Sequence, residues 1–181
     1  MNRVRIIGGT WRSRVISFPP AAELRPTPDR VRETLFNWLG QDLTGKSCLD
    51  LYAGSGVLGF EALSRGAAQV VMVERDRRAV PALRDNAARL GASNLEVVAM
   101  DALQFLRSDR RVFDVVFLDP PYRSGVLPDI LREMDRHLAP EGRVYAECGE
   151  ALELPPGWMA VRKGRAGAAH YHLLAQGPPC P

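Results

Sequence analysis

The chain alternates short apolar runs with longer stretches whose apolar residues recur at helical spacing. Strands are predicted at 47–51, 69–74, 95–99, 114–118 and 143–148. Helices are predicted between and after them, at about 57–65, 77–90, 102–107 and 126–138. This alternation predicts an α/β fold with a doubly wound, mostly parallel sheet and helices on both of its faces.

Both ends of the chain extend this pattern. Residues 4–18 alternate around a Gly-Gly-Thr turn and predict a β-hairpin. The stretches 158–163 and 170–175 predict an antiparallel pair of strands at one edge, which makes seven strands in the sheet. We therefore expect a basic N-terminal hairpin over 1–22 and one α/β domain over 23–181.

A helix start follows the hairpin. Thr27, Pro28 and Asp29 combine a capping hydroxyl, a proline at the first helical position and an acid in the first turn. Apolar residues then share one helical face until Gly40 ends the helix. The sequence thus places one further helix ahead of the sheet.

The composition narrows the class of protein. Of 181 residues, 46% are hydrophobic and 25% are charged, which argues against disorder. No apolar run reaches the roughly 18 residues that a membrane helix needs, and the N-terminus lacks a secretory pattern. Three cysteines without a CxxC pair argue against a disulfide framework or a zinc site. We expect a monomeric cytoplasmic protein that binds neither metal nor membrane.

Positive charge is concentrated at the N-terminus. The net charge is +3, yet residues 1–37 carry seven arginines against three acids. Arginine forks match phosphate geometry and stack on bases, so this segment suits nucleic acid. A solvated surface explains the charge equally well, and charge alone does not decide between the two.

The most specific local pattern is LDLYAGSGVLG at 49–59, an apolar strand leading into G-x-G-x-x-G at a helix start. Glycines there let the backbone turn tightly and approach a ligand. An acid that ends the next strand, Glu74, is placed to accept from a ribose diol. The pattern predicts a nucleotide-containing cofactor held by Asp50, Ala53, Gly54, Ser55, Gly56, Glu74 and Arg75.

The position of Asp50 distinguishes between two kinds of cofactor. A carboxylate at this position repels the pyrophosphate of a dinucleotide, whereas it attracts the sulfonium and ammonium of S-adenosylmethionine. Asp101 follows the third strand of the domain, where its carboxylate suits the adenine amine with the N–H of Ala102 beside it. Asp101 suits a helix N-cap equally well, and both roles are compatible.

A second motif follows the strand at 114–118. Asp119-Pro120-Pro121-Tyr122 lies at the carboxyl end of this strand, the edge where ligands bind in open α/β sheets. The prolines fix the backbone so that the Asp119 carboxylate and the Pro120 carbonyl accept hydrogen bonds in one space. The exocyclic amine of a nucleobase offers two matching donors, and Tyr122 offers a flat face for stacking.

With these motifs the chain resembles a class I S-adenosylmethionine-dependent methyltransferase, since DPPY is similar to the [DN]PP[YF] signature of amino-group methyltransferases. More narrowly, it resembles the bacterial family that methylates N2 of one guanine in 16S ribosomal RNA. The matching stretches are RIIGG with Trp-Arg at 5–12, LRPTPDRVRETLFNWL at 24–39, DLYAGSGVLGFEALSRGA at 50–67 and FDVVFLDPPY at 113–122. Ser13 stands where the family usually has glycine, and Tyr52 where phenylalanine is frequent.

The resemblance implies methyl transfer from S-adenosylmethionine to guanine N2 in small-subunit ribosomal RNA, within an assembled or assembling subunit. Asp119, Pro120 and Tyr122 would be catalytic, orienting the amino nitrogen and raising its electron density. Whether Asp119 also takes the proton stays open. The base must leave its stack to enter the site. RNA contacts beside the mouth of the site are expected from Arg3, Arg5, Trp11, Arg12 and Arg14.

Other interpretations fit parts of the sequence. DPPY also fits methylation of DNA adenine, of another RNA base or of protein glutamine, although the basic hairpin argues against a protein substrate. An NAD(P)-dependent oxidoreductase explains the glycine motif but leaves Asp50 and DPPY without a role. A non-catalytic RNA-binding module of the same fold would bind RNA without any dependence on a cofactor.

Overall fold

The computed structural model describes residues 1–20, 26–121, 125–149 and 152–177. Its strands are β1 (Asn2–Arg5), β2 (Val15–Phe18), β3 (Ser47–Asp50), β4 (Gln69–Glu74), β5 (Leu95–Ala99), β6 (Phe113–Leu118), β7 (Leu138–Cys148), β8 (Trp158–Ala166) and β9 (Ala169–Gln176). Its helices are α1 (Asp29–Leu39), α2 (Val57–Ser64), α3 (Ala79–Leu90), α4 (Ala102–Ser108) and α5 (Leu127–Met134), and α5 continues into a 3₁₀ turn at Asp135–His137. No described helix combines the length and apolar content that crossing a membrane requires.

Seven strands form the central sheet in the order β5-β4-β3-β6-β7-β9-β8. The first five of these are parallel to one another, and β9 is antiparallel to both β7 and β8. The strand order reverses between β3 and β6, which opens a crevice for a ligand at the carboxyl edge of the sheet. The predicted doubly wound, mostly parallel seven-stranded sheet is confirmed.

Two apolar cores cover the two faces of the sheet. One core joins α1, α2 and α3 to alternate strand residues such as Cys48 and Met72. The other core joins α4 and α5 to the intervening strand residues, such as Leu49 and Val71. Successive side chains of a strand point to opposite faces, so each buried strand supplies both cores. This is why the strands appear in the sequence as continuous apolar runs.

The N-terminal hairpin is docked on the domain over α2 and α3. β1 and β2 pair antiparallel, with Val4 opposite Ile16. The Asn86 side chain on α3 exchanges two hydrogen bonds with the Ser17 backbone, at 3.1 and 2.7 Å. The loop at 6–14 is anchored by the Trp11 N–H, which donates to the Ser64 hydroxyl at 2.9 Å. Since Ser64 ends α2, this loop lies at the amino edge of the sheet.

Several element boundaries differ from the sequence prediction. α3 begins at Ala79 rather than at 77, and β8 continues to Ala166 rather than ending at 163. α1 begins at Asp29 with Pro28 as its N-cap residue and without a side-chain cap, so the Thr27 hydroxyl is not the predicted cap. α5 ends at Met134, and β7 already begins at Leu138 rather than at 143. An irregularity in the β6–β7 register lets Leu138 pair with Phe113 ahead of the regular ladder. Such a bulge leaves no periodic signal in the sequence.

Candidate active site

Four carboxylates lie along the carboxyl edge of the sheet. Each ends or directly follows one of four neighbouring strands: Glu74 on β4, Asp50 on β3, Asp119 after β6 and Glu147 on β7. Each lies two positions beyond a side chain of the core under α1–α3, namely Met72, Cys48, Phe117 and Tyr145. The two-residue alternation of strands therefore directs all four carboxylates to one face. We call this set the carboxylate row.

Burial raises the pKa of two carboxylates in the row. Asp50 is 2% exposed and accepts one hydrogen bond, from the Gly59 N–H at 3.1 Å. Burial raises the pKa of Asp50 to about 7, and the nearby charge of Glu74 acts in the same direction. Burial and the charges of Glu147 and Asp50 also raise the pKa of Asp119 well above its usual range. No described cation pairs with Asp50 or Asp119. This edge of the sheet therefore favours a cation or hydrogen-bond donors.

Glu147 is a member of the row that the sequence analysis missed. It is 3% exposed, and the Tyr145 hydroxyl donates to its Oε2 at 3.0 Å. Burial and the charges of Glu147 and Asp119 raise the pKa of Tyr145 well above its usual range, so this phenol stays protonated and remains a donor. An acid at the end of an apolar run was the available signal, as it was for Glu74.

The glycine turn between β3 and α2 has the geometry that its motif predicts. Gly54 and Gly56 adopt left-handed backbone angles, with φ of 52° and 79°. A Cβ at Gly59 would lie 2.5 Å from the Met72 Cε, so this glycine allows α2 to pack closely on the sheet. The Gly54 N–H donates to Glu74 Oε2 at 2.7 Å, and the Asp76 N–H donates to Oε1 at 2.7 Å. The Glu74 carboxylate thus holds the turn in place.

The remaining predicted cofactor residues surround this turn. Ala53 and Ser55 are buried, at 6% and 4% exposure, and Arg75 is exposed. Asp101 is the N-cap of α4, where its side chain accepts from the N–H groups of Leu103 and Gln104 at 3.0 and 3.2 Å. The predicted N-cap is confirmed, whereas contact with adenine stays a prediction. Ala102, next to it, is buried.

The DPPY motif is described as far as Pro121. Pro120 is buried and Pro121 is exposed at the turn after β6, and Tyr122 lies outside the described residues. The Thr27 hydroxyl donates to the Asp119 carboxylate and partly offsets the rise in its pKa. Thr27 itself is 3% exposed, so the chain just before α1 covers this side of the site.

A buried ion pair holds that covering segment. Arg32 on α1 is fully buried, and its guanidinium donates to the Thr27 carbonyl at 3.0 Å and to Glu61 Oε1 at 2.7 Å. Glu61, fully buried on α2, also accepts from the Ile7 N–H at 2.5 Å. Through Thr27, Arg32 and Glu61 this network joins the covering segment, α2 and the N-terminal hairpin.

The structure places part of the predicted RNA-binding set away from the site mouth. Arg3 is exposed, and Arg5 lies 3.5 Å from Asp29. Trp11 is half-buried against the core. Arg12 lines an open cavity of about 870 Å³ together with Arg65 and Gly66, and Arg14 donates to the Arg89 carbonyl at 3.2 Å. The loop that carries these two arginines meets the far end of α2, about 12 Å from the glycine turn. These two arginines thus lie at the amino edge of the sheet, and their contact with RNA stays a prediction.

Comparison with known proteins places the chain in a family. The family described as "Conserved hypothetical protein 95" matches residues 4–175. The chain belongs to this family. It is 43% identical to the protein named Ribosomal RNA small subunit methyltransferase D of Escherichia coli strain K12, over 95% of this chain and 89% of that protein. Identity to the protein of the same name from Haemophilus influenzae is 39%, over 95% and 93% of the two chains.

Solved structures agree at the level of the fold. The structure of yhhF from Escherichia coli is 42% identical and matches with a TM-score of 0.88, covering 97% of this chain and 98% of the other. The precorrin-6y C5,15-methyltransferase of Geobacter metallireducens is 22% identical and matches with a TM-score of 0.67 over 88% and 95%. At that identity the likeness concerns the fold alone. The predicted class I methyltransferase fold is confirmed.

Proposed function

We propose that this protein transfers a methyl group from S-adenosylmethionine to the exocyclic N2 of a guanine in small-subunit ribosomal RNA. The observation that carries the proposal is the carboxylate row, in which Asp50 is buried, Asp119 is half-buried on the neighbouring strand at the switch point, and neither pairs with a described cation. A site of this kind binds a positively charged cofactor and an amine that donates hydrogen bonds.

The cofactor end of the row fits S-adenosylmethionine better than a dinucleotide. Asp50 and Glu74 place two carboxylates around the glycine turn, where a pyrophosphate would be repelled. Gly54 and Gly56 are left-handed, which makes the turn tight, and the Gly54 N–H already donates to Glu74. S-adenosylmethionine, when bound, supplies a methyl group that its sulfonium makes electrophilic. Asp50, Gly54, Gly56, Glu74 and Asp101 are the residues that would hold it.

The other end of the row fits the amine that accepts the methyl group. The lone pair of guanine N2 is delocalised into the ring, so the free amine is a poor nucleophile. Asp119 and the Pro120 carbonyl accept from its two N–H groups, which orients the nitrogen and increases its electron density. Because burial raises the pKa of Asp119, this carboxylate is also a competent acceptor for the proton that the amine loses.

The RNA substrate is supported by the relatives. Two proteins at 43% and 39% identity bear the name of a small-subunit ribosomal RNA methyltransferase, and the alignments include both the glycine turn and DPPY. The arginine-rich N-terminus agrees with a polyanionic substrate. An assembling or assembled small subunit is the expected form of that RNA.

The central test is transfer of labelled methyl groups from S-adenosylmethionine to ribosomal RNA, immature small subunits and DNA. We expect incorporation into RNA or subunits, and incorporation into DNA alone would contradict the proposal. Asp119→Ala should abolish transfer, whereas the affinity for S-adenosylhomocysteine, measured by calorimetry, should stay within about threefold because the lost oxygens face the base. Equal loss of both would refute the role assigned to Asp119.

Asp119→Asn distinguishes the two roles proposed for this side chain, acceptance of hydrogen bonds and acceptance of the proton. Asparagine keeps an acceptor oxygen but takes no proton at neutral pH. Residual transfer above that of Asp119→Ala would show that acceptance of hydrogen bonds is the main contribution. Rates equal to those of the alanine variant would assign proton transfer to the carboxylate.

A further inference from the structure

The last two strands carry a group of exposed cations that the proposed function has not used. Residues 158–176 contain Arg162, Lys163 and Arg165 and no aspartate or glutamate. All three side chains are exposed on β8, and none of them takes part in an ion pair between described residues. We call them the β8 cations. Among described residues, their hydrogen bonding is limited to Arg165 Nε, which donates to the Gly167 carbonyl at 3.0 Å.

The sheet topology brings the β8 cations to the edge that holds the site. β9 is antiparallel to β7, and β8 is antiparallel to β9, so β8 runs parallel to β7 and finishes at the carboxyl edge. Leu118 pairs with Ala146, which sets Asp119 beside Glu147. Glu147 pairs with Tyr171, and Tyr171 pairs with Gly164.

A single line of residues across the sheet thus joins Asp119 to Gly164, the residue between Lys163 and Arg165. Three strand spacings separate β6 from β8, a distance of about 14 Å. By strand alternation Arg162 shares the face of Gly164 and the carboxylate row, whereas Lys163 and Arg165 point to the other face of this edge strand. An RNA backbone that passes over the end of β8 beside a base bound at Asp119 is within reach of all three long side chains. Arg12 and Arg14, in contrast, lie at the opposite edge of the sheet.

The charges of this edge form two zones. The carboxylates at the ends of β3 and β6 suit a cationic cofactor and an amine, and they repel phosphate. The cations on the outermost strand are exposed and attract phosphate, so binding would release counterions at little desolvation cost. This arrangement draws an RNA backbone across the β7–β9–β8 side of the site while its target base points inward.

We infer that Arg162, Lys163 and Arg165 bind phosphates of the RNA next to the target nucleotide, an assignment that rests on the proposed function. The competing explanation is that cations on an edge strand only prevent pairing with another sheet. β8 is an edge strand on which Met159 and Val161 are exposed, at 48% and 39%. The competing explanation therefore predicts that the protein self-associates through β8 when the cations are removed.

The test uses the full-length protein with all three β8 cations replaced, Arg162→Gln, Lys163→Gln and Arg165→Gln, and a 16S ribosomal RNA transcript as the probe. Affinity is measured between 50 and 200 mM salt. We expect the slope of log K against log salt to shrink by about two, since each lost phosphate contact contributes about 0.7. The KM for RNA should rise about tenfold or more, while kcat at saturating RNA and the affinity for S-adenosylhomocysteine stay within about threefold.

The matched control removes two arginines and one lysine elsewhere, through Lys46→Gln, Arg84→Gln and Arg110→Gln. These exposed side chains lie at the amino edge of the sheet or on α3. Their replacement lowers the net charge by three, as the replacement of the β8 cations does. The proposal is overturned if the β8 variant changes the salt slope no more than the control does. It is also overturned if sedimentation shows new oligomers with an unchanged slope, which would assign the cations to edge protection. Absence of methyl transfer by the unmodified protein would instead refute the proposed function.

Discussion

At the scale of single residues, the site contains a buried carboxylate, Asp50, whose charged form lowers the stability of the folded protein. Asp50 is a fully enclosed carboxyl whose pKa is raised to about 7, because burial penalises its charged form. A group that binds its proton more tightly in the folded state stabilises the protein at low pH. That stability is lost as the pH rises from the unfolded pKa near 4 through the folded pKa. A buried carboxylate with a raised pKa is typical of a functional site.

The first prediction concerns Asp50→Asn. Asparagine keeps the acceptor for the Gly59 N–H and removes the buried charge, so the ligand-free variant should have a higher melting temperature than the unmodified protein at pH 8. The difference should disappear near pH 5, where Asp50 is already protonated. Affinity for S-adenosylmethionine should fall at least about tenfold. Thermal unfolding at both pH values, with calorimetry at pH 8, provides the measurement, and a lower melting temperature at pH 8 would contradict it.

The second prediction uses the same pKa and the unmodified protein. A bound cation stabilises the ionised form of Asp50, so binding of S-adenosylmethionine should release protons at pH 7 and strengthen as the pH rises from 6 to 8. S-adenosylhomocysteine lacks the positive sulfur and should release fewer protons. Calorimetry in two buffers of different ionisation enthalpy counts the protons. Equal release for the two ligands would show that the sulfonium lies away from Asp50.

The third prediction concerns Ser13 in the loop of the N-terminal hairpin. Its φ is 70°, a left-handed conformation that costs a non-glycine residue about 1 kcal/mol. Ser13→Gly should stabilise the protein by up to that amount, less the greater freedom that glycine has in the unfolded chain. Ser13→Ala, which keeps the strain, serves as the control in urea unfolding and should give no gain.

At the scale of elements, the position of α1 depends on a charge pair that no periodicity reveals. Arg32 falls within the apolar stripe of the helix and is fully buried, because Glu61 on α2 meets it at 2.7 Å. The strands β3 to β6, in contrast, were predicted to within one residue. Their apolar runs are continuous because both faces of each strand are covered.

The fourth prediction is that Glu61→Leu destabilises the protein by at least about 3 kcal/mol, because the buried Arg32 guanidinium loses one of its two carboxylate partners and keeps only Asp29. The Ile7 N–H and Arg65 lose an acceptor in the same substitution. The control is Asp129→Ala, which breaks an exposed pair with Arg132 and should cost less than about 1 kcal/mol. Urea unfolding of both variants gives the comparison. A similar cost for the two would show that the buried pair is not needed to hold α1.

At the scale of the whole molecule, positive charge occurs at both edges of the sheet. The N-terminal arginines that the sequence singled out are divided, with Arg12 and Arg14 at the amino edge beside the end of α2. The β8 cations lie at the carboxyl edge with the site. The order and direction of the strands decide which edge of the sheet each group of cations occupies, because β8 and the N-terminal hairpin are far apart in sequence.

The fifth prediction addresses the amino edge. Replacing Arg12 and Arg14 by alanine should weaken binding of a long ribosomal RNA and lower its salt slope by about one. The effect should vanish with a short stem-loop that fills only the site, because these arginines lie about 12 Å from the glycine turn. An unchanged slope with the long RNA would leave them as ordinary surface residues.

The sequence by itself determined the α/β class, most of the strands, the glycine turn and the position of Asp50 and Asp119 at the carboxyl ends of neighbouring strands. These features are local, because strand periodicity, glycine spacing and an acid at a strand end are each readable within a few residues. Tertiary structure alone decided that Glu147 joins the row, that Thr27 contacts Asp119 and that Arg32 is buried. It also set which cations share an edge with the site. These depend on strand order and register, through which residues distant in the chain become neighbours.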